Sequence, residues 1–224
     1  MSKPTILLTR AETLNTADQE FFEQMGYQTQ IIPLAEIVQL PLSQRAVKNL
    51  RNAEWLFFTS QAPVLSVLKQ ANKASKVAVI GKKTAAIVRN SGFSVDFISP
   101  IETKAAMVSA WKEHYPESTT IFYAKSQLAD TYVAQQLVGN YTVYAQTTYE
   151  NRLPEVAASR LQKMQQVKAI QAVYLTSPSA WRRFRSIYQG EIKELQLIAI
   201  GPTTQQAIQQ DGFQAIRKDQ MKLG

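Results

Sequence analysis

The sequence predicts an α/β protein of two similar domains, each a parallel β-sheet flanked by helices. Short apolar runs alternate with amphipathic stretches along the whole chain, and strands that alternate with helices favour parallel sheets covered on both faces. In addition, residues 80–93 (IGKKTAAIVRNSGF) recur as residues 200–213 (IGPTTQQAIQQDGF), with Ile, Gly, Thr, Gly and Phe in the same register 120 positions later. The repeat indicates that each half of the chain forms the same structure.

Eight apolar runs are interpreted as buried strands, because they are short and rich in β-branched and aromatic residues. They are TILLTR (5–10), TQIIPL (29–34), WLFFTS (55–60), KVAVIG (76–81), TIFYAKS (120–126), YTVYAQTTY (141–149), AVYLTS (172–177) and LIAIG (197–201). Helices are predicted between them at residues 62–71, 83–90, 104–114, 130–137, 155–164 and 204–210.

The repeat extends upstream of both glycine motifs. FFTSQAPVLSVL precedes the first copy and YLTSPSAWRRF the second, so each copy has an apolar strand that ends in Thr-Ser and is followed by a helix. Residues 6–34 and 121–149 form a looser pair, which shares a strand, a polar turn, a helix, a glycine and a strand. Each half therefore contains both kinds of unit, as two similar domains require.

Composition and charge limit the class of protein and its partners. The 224 residues include no cysteine, no apolar run reaches the about 18 residues of a membrane helix, and no signal peptide opens the chain, so we expect a cytoplasmic protein without membrane contact. The net charge of +8 favours anionic ligands. Because the basic residues are scattered, with WRRFR (181–185) the densest run, we expect no nucleic-acid partner.

The candidate ligand-binding residues follow the predicted strands. Ligands bind beyond the carboxyl ends of parallel strands, where a glycine lets backbone approach closely and the next helix offers unpaired N–H groups. The hydroxyl groups have a second interpretation as helix caps alone. Because they occur in matched pairs, we expect a cleft between the domains that receives anionic groups. The candidates are Thr9, Arg10, Thr59, Ser60, Gly81, Lys82, Thr84, Lys125, Ser126, Thr176, Ser177, Gly201, Pro202, Thr203 and Thr204.

Common catalytic machinery is scarce. The single histidine, His114, is expected on a helix surface, so no Ser-His-Asp triad can form. Nucleotide-binding glycine motifs are missing, and carboxylates are few at the strand ends, which argues against a glycosidase or a hard-metal site. We therefore expect no metal and no cofactor. Hydroxyls, basic residues and tyrosines remain, and they can orient an anion and donate a proton.

The segments ILLTRAE, FFTSQAPV, VIGKKTA, TTYEN, YLTSPSAW and IGPTTQQAI, in this order and spacing, resemble the uroporphyrinogen-III synthase family over nearly the whole chain. The resemblance implies a cofactor-free lyase of haem biosynthesis. This enzyme closes linear hydroxymethylbilane to uroporphyrinogen III and inverts ring D through a spiro intermediate. It also implies two α/β domains joined by a two-stranded β-ladder, an active site in the cleft between them, and a monomer.

The resemblance further implies domain boundaries and residue roles. One domain comprises residues 1–34 and 153–224, the other residues 37–149, and residues 34–41 and 146–154 are the crossing strands. Tyr149 would donate a proton to the leaving hydroxyl, although it is also interpretable as an ordinary strand residue. Arg10, Lys82, Lys125 and Arg182 are candidates to contact the eight carboxylates of the substrate.

One departure and one alternative stay open. The family usually continues past its last strand into a helix, whereas RKDQMKLG follows Ile216 here, so we expect that helix to be short or absent. The alternative is a non-catalytic two-domain binding protein for an anionic small molecule, such as a periplasmic-binding-like sensor. It would need a signal peptide or a fused effector region, and neither is visible.

Overall fold

A computed structural model describes residues 3–11, 14–166 and 169–222. The chain divides into two compact units, Met1–Glu36 with Arg152–Gly224 (unit 1) and Ile37–Asn151 (unit 2). These boundaries lie within two residues of the ones expected from the sequence. No described helix combines the length and the apolar composition that crossing a lipid bilayer requires.

Strands and helices alternate along most of the described chain. The strands are β1 (Thr5–Leu8), β2 (Gln28–Ile31), β3 (Glu36–Gln39), β4 (Trp55–Phe58), β5 (Lys76–Val79), β6 (Phe97–Ile98), β7 (Thr120–Ser126), β8 (Thr142–Arg152), β9 (Ala172–Leu175), β10 (Gln196–Ala199) and β11 (Ile216–Arg217). The helices are α1 (Thr16–Gln24), α2 (Gln44–Asn52), α3 (Val64–Leu68), α4 (Lys82–Asn90), α5 (Lys104–His114), α6 (Tyr132–Leu137), α7 (Glu155–Gln166), α8 (Pro178–Ile187) and α9 (Pro202–Gln210).

The two sheets have the same strand order over five strands. The first sheet has the order β11-β10-β9-β1-β2, and the second has the order β6-β5-β4-β7-β8 with β3 added at its edge. All pairings among these five strands are parallel in each sheet, which confirms the predicted fold class. The sequence repeat is thus a repeat of topology, in which β9, β10, β11, β1 and β2 correspond to β4, β5, β6, β7 and β8. Strands β3 and β8, which cross the boundary between the units, are neighbours.

Both faces of each sheet are covered, because successive side chains of a strand point to opposite faces. In β1, Leu7 belongs to a core cluster with Trp181 of α8, whereas Leu8 belongs to another with Phe22 of α1. In β4, Phe58 packs with α3, while Phe57 and Trp111 of α5 share the opposite cluster. Each fully buried side chain of this size stabilises the fold by about 1.5–3 kcal/mol.

The structure differs from the sequence prediction mainly in its shortest and most polar elements. Helix α2 was not predicted, because only Ala46 and Leu50 are buried along it. The two-residue strands β6 and β11 are too short for a periodic pattern. Helix α9 begins at Pro202 rather than at residue 204, because proline suits the first helical turn. After β11 the described chain forms a single 3₁₀ turn, Lys218–Gln220.

Candidate functional site

In unit 2 the sequence-predicted residues form a row along one edge of the sheet. Lys125 and Ser126 are the last residues of β7, Thr59 and Ser60 follow the neighbouring strand β4, and Gly81 lies two residues after β5. Tyr149 lies in the carboxyl-terminal part of β8. Because parallel strands end at the same edge, these residues lie side by side. A register shift after Lys125 pairs Ser126 with Tyr149. The fold thus assembles candidates from four separate segments.

Tyr149 is hydrogen-bonded to Ser60, with 2.8 Å between its hydroxyl oxygen and the serine Oγ. Only 9% of Tyr149 is exposed. Beside this pair, Thr59 Oγ1 is hydrogen-bonded to the Tyr123 hydroxyl at 3.2 Å. Two Tyr–hydroxyl pairs therefore occupy neighbouring strand ends.

Tyr123 is a site residue that sequence reasoning missed. It lies within a buried strand, where an aromatic residue normally serves the core, and only the strand register brings it to Thr59. Burial is the main cause that raises the pKa of Tyr123, against smaller lowering effects of Thr59 and Lys104. The phenol therefore stays protonated at neutral pH and is available as a hydrogen-bond donor.

The other candidates of unit 2 have local partners or are exposed. Gly81 precedes the first turn of α4 with an extended backbone, and a Cβ there would overlap the Glu102 carboxylate. Lys82 is exposed at the start of α4, whereas Thr84 is buried. Lys125 Nζ donates to the carbonyl of Ala129 at 3.3 Å, and Ser126 Oγ accepts from the backbone N–H of Leu128 at 3.1 Å.

In unit 1 six predicted residues line one pocket of ≈ 270 Å³, between the ends of β9 and β10. They are Thr176, Ser177, Gly201, Pro202, Thr203 and Thr204. Gly201 precedes α9 with φ −168°, a conformation that any residue adopts, and a Cβ there would meet nothing within 4 Å. Within the described residues, neither backbone geometry nor packing requires glycine at this position. The open space beside it can receive a ligand.

Two hydroxyls of unit 1 have structural partners. Thr9 is buried, and its Oγ1 donates to the Tyr174 carbonyl at 2.8 Å, which links β1 to β9. Ser177 Oγ accepts from the Ala180 backbone N–H at 3.0 Å and is hydrogen-bonded to Ser179, so Ser177 caps α8. Ser177 is therefore a helix cap that also lines the pocket.

The remaining charged candidates lie at the surface of their helices or strand ends. Arg10 is half-buried after β1, with Nη1 3.5 Å from Asp18 Oδ2, and Arg182 is exposed on α8. His114 is exposed at the end of α5, as predicted, and its Nδ1 lies 2.8 Å from the Ala110 carbonyl. The described ranges contain no group of three or more His, Asp or Glu side chains that could hold a metal ion.

A larger pocket of ≈ 510 Å³ lies at the opposite edge of the unit 1 sheet. It is lined by residues around Leu195 and Phe213, near the amino ends of β10 and β11, and includes none of the predicted candidates. Ligands of parallel α/β sheets bind at the carboxyl edge, so we place the candidate site at the strand ends.

The fold and the strand-end residues define a class of α/β proteins that present hydroxyls, helix starts and cations at the carboxyl edges of two parallel sheets. A uroporphyrinogen III synthase mutant from the extremely thermophilic bacterium Thermus thermophilus is similar with a TM-score of 0.62 and 11% identity, over 98% of this chain and 94% of that one. The Helicobacter pylori uroporphyrinogen-III synthetase is similar with a TM-score of 0.62 and 18% identity, over 96% of this chain and 92% of that one. At such identities these matches establish the fold.

The family is established by the sequence profile of uroporphyrinogen-III synthase HemD, which matches residues 16–220. The chain therefore belongs to the uroporphyrinogen-III synthase family, whose members are cyclising lyases of porphyrin and haem biosynthesis.

Proposed function

We propose that this protein closes linear hydroxymethylbilane to uroporphyrinogen III, inverting ring D through a spiro intermediate. The family match over residues 16–220 supports the reaction. The observation that carries the mechanism is the hydrogen bond between Tyr149 and Ser60 at the carboxyl edge of unit 2. The bilane supplies its own reactivity, so the protein's tasks are to bind it, orient ring D and donate one proton.

The proton donor in this proposal is Tyr149. The C–O bond of the hydroxymethyl group breaks, and the hydroxyl leaves as water with the phenol's proton. The carbon that has lost the hydroxyl is electrophilic, and the substituted α-carbon of ring D attacks it to give the spiro intermediate. The bond between this ring D carbon and the methylene that joins it to ring C then breaks, and the free α-carbon of ring D forms a new bond to that methylene. The proton that the last pyrrole carbon loses on closure returns to the phenolate. A positioned general acid accelerates such a step by about 10²–10⁴-fold.

Ser60 orients the phenol, because its Oγ lies 2.8 Å from the Tyr149 hydroxyl. A hydrogen bond to a half-buried serine restricts the rotation of the tyrosine hydroxyl. We therefore assign Ser60 a positioning role rather than the direct substrate contact expected from the sequence.

A substrate carboxylate is bound at the glycine-led start of helix α9 in this proposal. Helix α9 begins beside the open space at Gly201, where the N–H groups of Thr203 and Thr204 belong to the first turn. Backbone N–H groups at a helix start bind anions, and the helix dipole strengthens the interaction. In unit 2 the Glu102 carboxylate lies beside Gly81, so there the exposed side chain of Lys82, rather than the helix start, provides the positive charge. The net charge of +8 further attracts a substrate with eight carboxylates.

The proposal includes a cytoplasmic monomer that binds no nucleic acid. A single small-molecule substrate suffices for the reaction, and the scattered basic residues favour no nucleic-acid surface. Light scattering after size-exclusion chromatography measures the molar mass in solution. A main peak with the mass of two or more chains would contradict the monomer.

The reaction is tested with freshly made hydroxymethylbilane. After incubation, the products are oxidised to porphyrins and isomers I and III are separated by chromatography. We expect isomer III, whereas heat-inactivated protein should leave only the spontaneous isomer I. Isomer I alone with the folded protein would refute the enzyme and favour the non-catalytic binding protein.

A further inference from the structure

Each unit contains a lysine–aspartate ion pair that neither the sequence analysis nor the proposed reaction assigns. In unit 1, Lys218 Nζ lies 2.6 Å from Asp18 Oδ1. In unit 2, Lys104 Nζ lies 2.9 Å from Asp130 Oδ1 and 3.0 Å from Oδ2. In each pair the lysine follows an edge strand, β11 or β6, and the aspartate follows the strand three positions away in the same sheet, β1 or β7.

The two pairs connect corresponding elements of the repeated topology. Lys218 directly follows β11, and Lys104 begins the helix after β6, the strand that corresponds to β11. Asp18 lies in the first turn of the helix after β1, and Asp130 lies just before the helix after β7, the strand that corresponds to β1. The two pairs therefore join corresponding elements of the two sheets, but not corresponding residues. The register that matches Arg10 with Lys125 matches Asp18 with Val133, and the strand pairing matches Lys218 with Ser99.

A strand-end cation accompanies each pair. Tyr174 and Phe57 occupy the same position in the matched motifs YLTS and FFTS. In the sheets, Tyr174 pairs with Leu8 and Phe57 pairs with Tyr123, so Leu8 and Tyr123 are equivalent. Arg10 and Lys125 each follow two residues later in the chain and are therefore equivalent as well.

Each strand-end cation interacts with the aspartate of its own unit. Arg10 Nη1 lies 3.5 Å from Asp18 Oδ2. In unit 2, Lys125 Nζ donates to the carbonyl of Ala129, the residue directly before Asp130, at 3.3 Å. The hydrogen bond from Lys104 is the main cause that lowers the pKa of Asp130, and the charge of Lys125 makes a smaller contribution in the same direction.

Each cluster thus has two cations for one carboxylate. The aspartate holds its lysine at hydrogen-bond distance, which leaves one positive charge in excess at each strand end. In unit 1 the lysine is also placed by aromatic rings, since Lys218 Nζ lies 4.5 Å from the centroid of Phe21. The aspartates differ in burial, with 10% of the Asp18 side chain exposed and 62% of the Asp130 side chain.

Ordinary surface ion pairs are the competing explanation, and they contribute little to stability. That explanation does not account for the recurrence, because the segments that carry the two lysines, ISPIETK and AIRK, are unlike in sequence and in structure. An excess cation at both carboxyl edges matches the demand of a polycarboxylate ligand.

We infer that each unit carries an equivalent carboxylate-binding station, Arg10–Asp18–Lys218 in unit 1 and Lys125–Asp130–Lys104 in unit 2. In each station the aspartate positions the two cations, and the cations bind one acidic side chain of the substrate. Lys104 and Lys218 become substrate-binding residues, and Asp18 and Asp130 become positioning residues. This inference rests on the proposed function and deepens it.

The kinetic test uses Lys218→Gln and Lys104→Gln. Each substitution removes one charge-assisted contact, so KM for hydroxymethylbilane should rise about tenfold while kcat stays within about twofold. The double variant should show the product of the two effects, because the stations share no residue. Matched controls are Lys193→Gln in unit 1 and Lys76→Gln in unit 2, two exposed lysines that lie before the amino end of β10 and at the amino end of β5.

A binding measurement gives a readout besides turnover. Uroporphyrin III, a stable octacarboxylate, is titrated into each variant, and its fluorescence reports the dissociation constant. We expect about tenfold weaker binding for each station variant, unchanged binding for the controls, and recovery with Lys218→Arg and Lys104→Arg, which keep the charge.

The outcomes separate this inference from the proposed reaction. Station variants that match the controls in KM and in uroporphyrin binding would overturn the inference while isomer III formation still stood. Arginine variants that bind as weakly as the glutamine variants, with wild-type melting temperatures, would equally exclude a role of charge. A wild-type protein that yields isomer I alone would refute the reaction itself, whatever its affinity for uroporphyrin.

Discussion

Replacing Tyr149 by Phe removes one hydroxyl and keeps the ring. The lost oxygen lies 2.8 Å from Ser60 Oγ, in a side chain that is 9% exposed, so the packing around the ring should persist. The variant therefore separates the chemistry of the phenol from its contribution to the fold.

The structural and catalytic effects differ in size. One hydrogen bond contributes about 0.5–1.5 kcal/mol net to stability, which for a chain of this length lowers the melting temperature by a few degrees. Loss of a general acid costs about 10²–10⁴-fold in rate, equivalent to about 2.7–5.5 kcal/mol of activation free energy. A structural role alone cannot produce a rate loss of that size in a folded protein.

The assay measures the rate of isomer III formation, corrected for spontaneous isomer I. We expect Tyr149→Phe to lower kcat at least about a hundredfold with little change in KM, because the contact acts on the leaving group. Ser60→Ala should lower kcat by about tenfold or less, because the phenol remains but loses its orienting partner. Tyr144→Phe, on the same strand and packed against the core, is the matched control. Equal, modest losses in Tyr149→Phe and Tyr144→Phe would refute the proton-donor role.

Three further predictions concern the pocket, an acidic group and the core. Gly201→Ala should leave the free energy of unfolding within about 0.5 kcal/mol of wild type, because the alanine Cβ enters space that the fold leaves open. The same Cβ should raise KM by occupying the space proposed for the ligand, and an unchanged KM would contradict ligand binding there. Asp211 accepts hydrogen bonds from Trp181, at 2.7 Å, and Arg185, which lower its pKa from the usual 3.8. The stabilisation by ionised Asp211 is present above the unfolded-state pKa and is lost as pH falls through the lowered folded-state pKa. Asp211→Asn should therefore lower the melting temperature at pH 7, and the melting temperatures of the variant and the wild type should converge in strong acid. A difference in melting temperature that is constant at every pH would exclude this linkage. Phe22→Ala, at a fully buried position, should destabilise by about 3–5 kcal/mol in urea unfolding, and a loss below about 1 kcal/mol would mean that α1 does not cover the sheet as described.

The sequence was sufficient to find the strands, because most of them are covered on both faces and are continuous apolar runs. The expected burial was wrong for β2, an edge strand without a buried residue, and for most of β8. All eight predicted strands exist, and the repeat located the two equivalent sheets. Helix α2 was missed because it is short and polar overall, and its apolar face contains only three residues, of which Ala46 and Leu50 are buried.

The contacts within the candidate site could not be predicted from the sequence. Ser60 and Tyr149 were both named as candidates, but they are 89 residues apart, and their contact depends on the register of β7 and β8. The shift after Lys125 pairs Ser126 with Tyr149 instead of Thr148. Because a one-residue slip sends a side chain to the opposite face, this irregularity decides whether the phenol or the Thr148 hydroxyl reaches the site.

The ion pairs of the two stations were even less accessible, because Lys218 and Asp18 are separated by 200 residues. No local pattern marks either residue, and the C-terminal segment was expected only to lack a long helix. The pair became visible through the topology, which places two strands, β10 and β9, between β11 and β1 in the sheet.

The duplication is unequal where the proposed chemistry occurs. Ser60 and Ser177 are equivalent, yet Ser60 bonds to Tyr149 while Ser177 caps α8. Strand β2 corresponds to β8, but the residues that follow it, 32–35, are Ile, Pro, Leu and Ala, and the Ile and Leu are buried in the core. Unit 1 therefore has no phenol at the position that corresponds to Tyr149, although Arg10 matches Lys125 and Gly201 matches Gly81. This asymmetry suits the proposed reaction, because a substrate with acidic groups on every ring needs binding residues in both units, whereas the loss of one hydroxyl needs one proton donor.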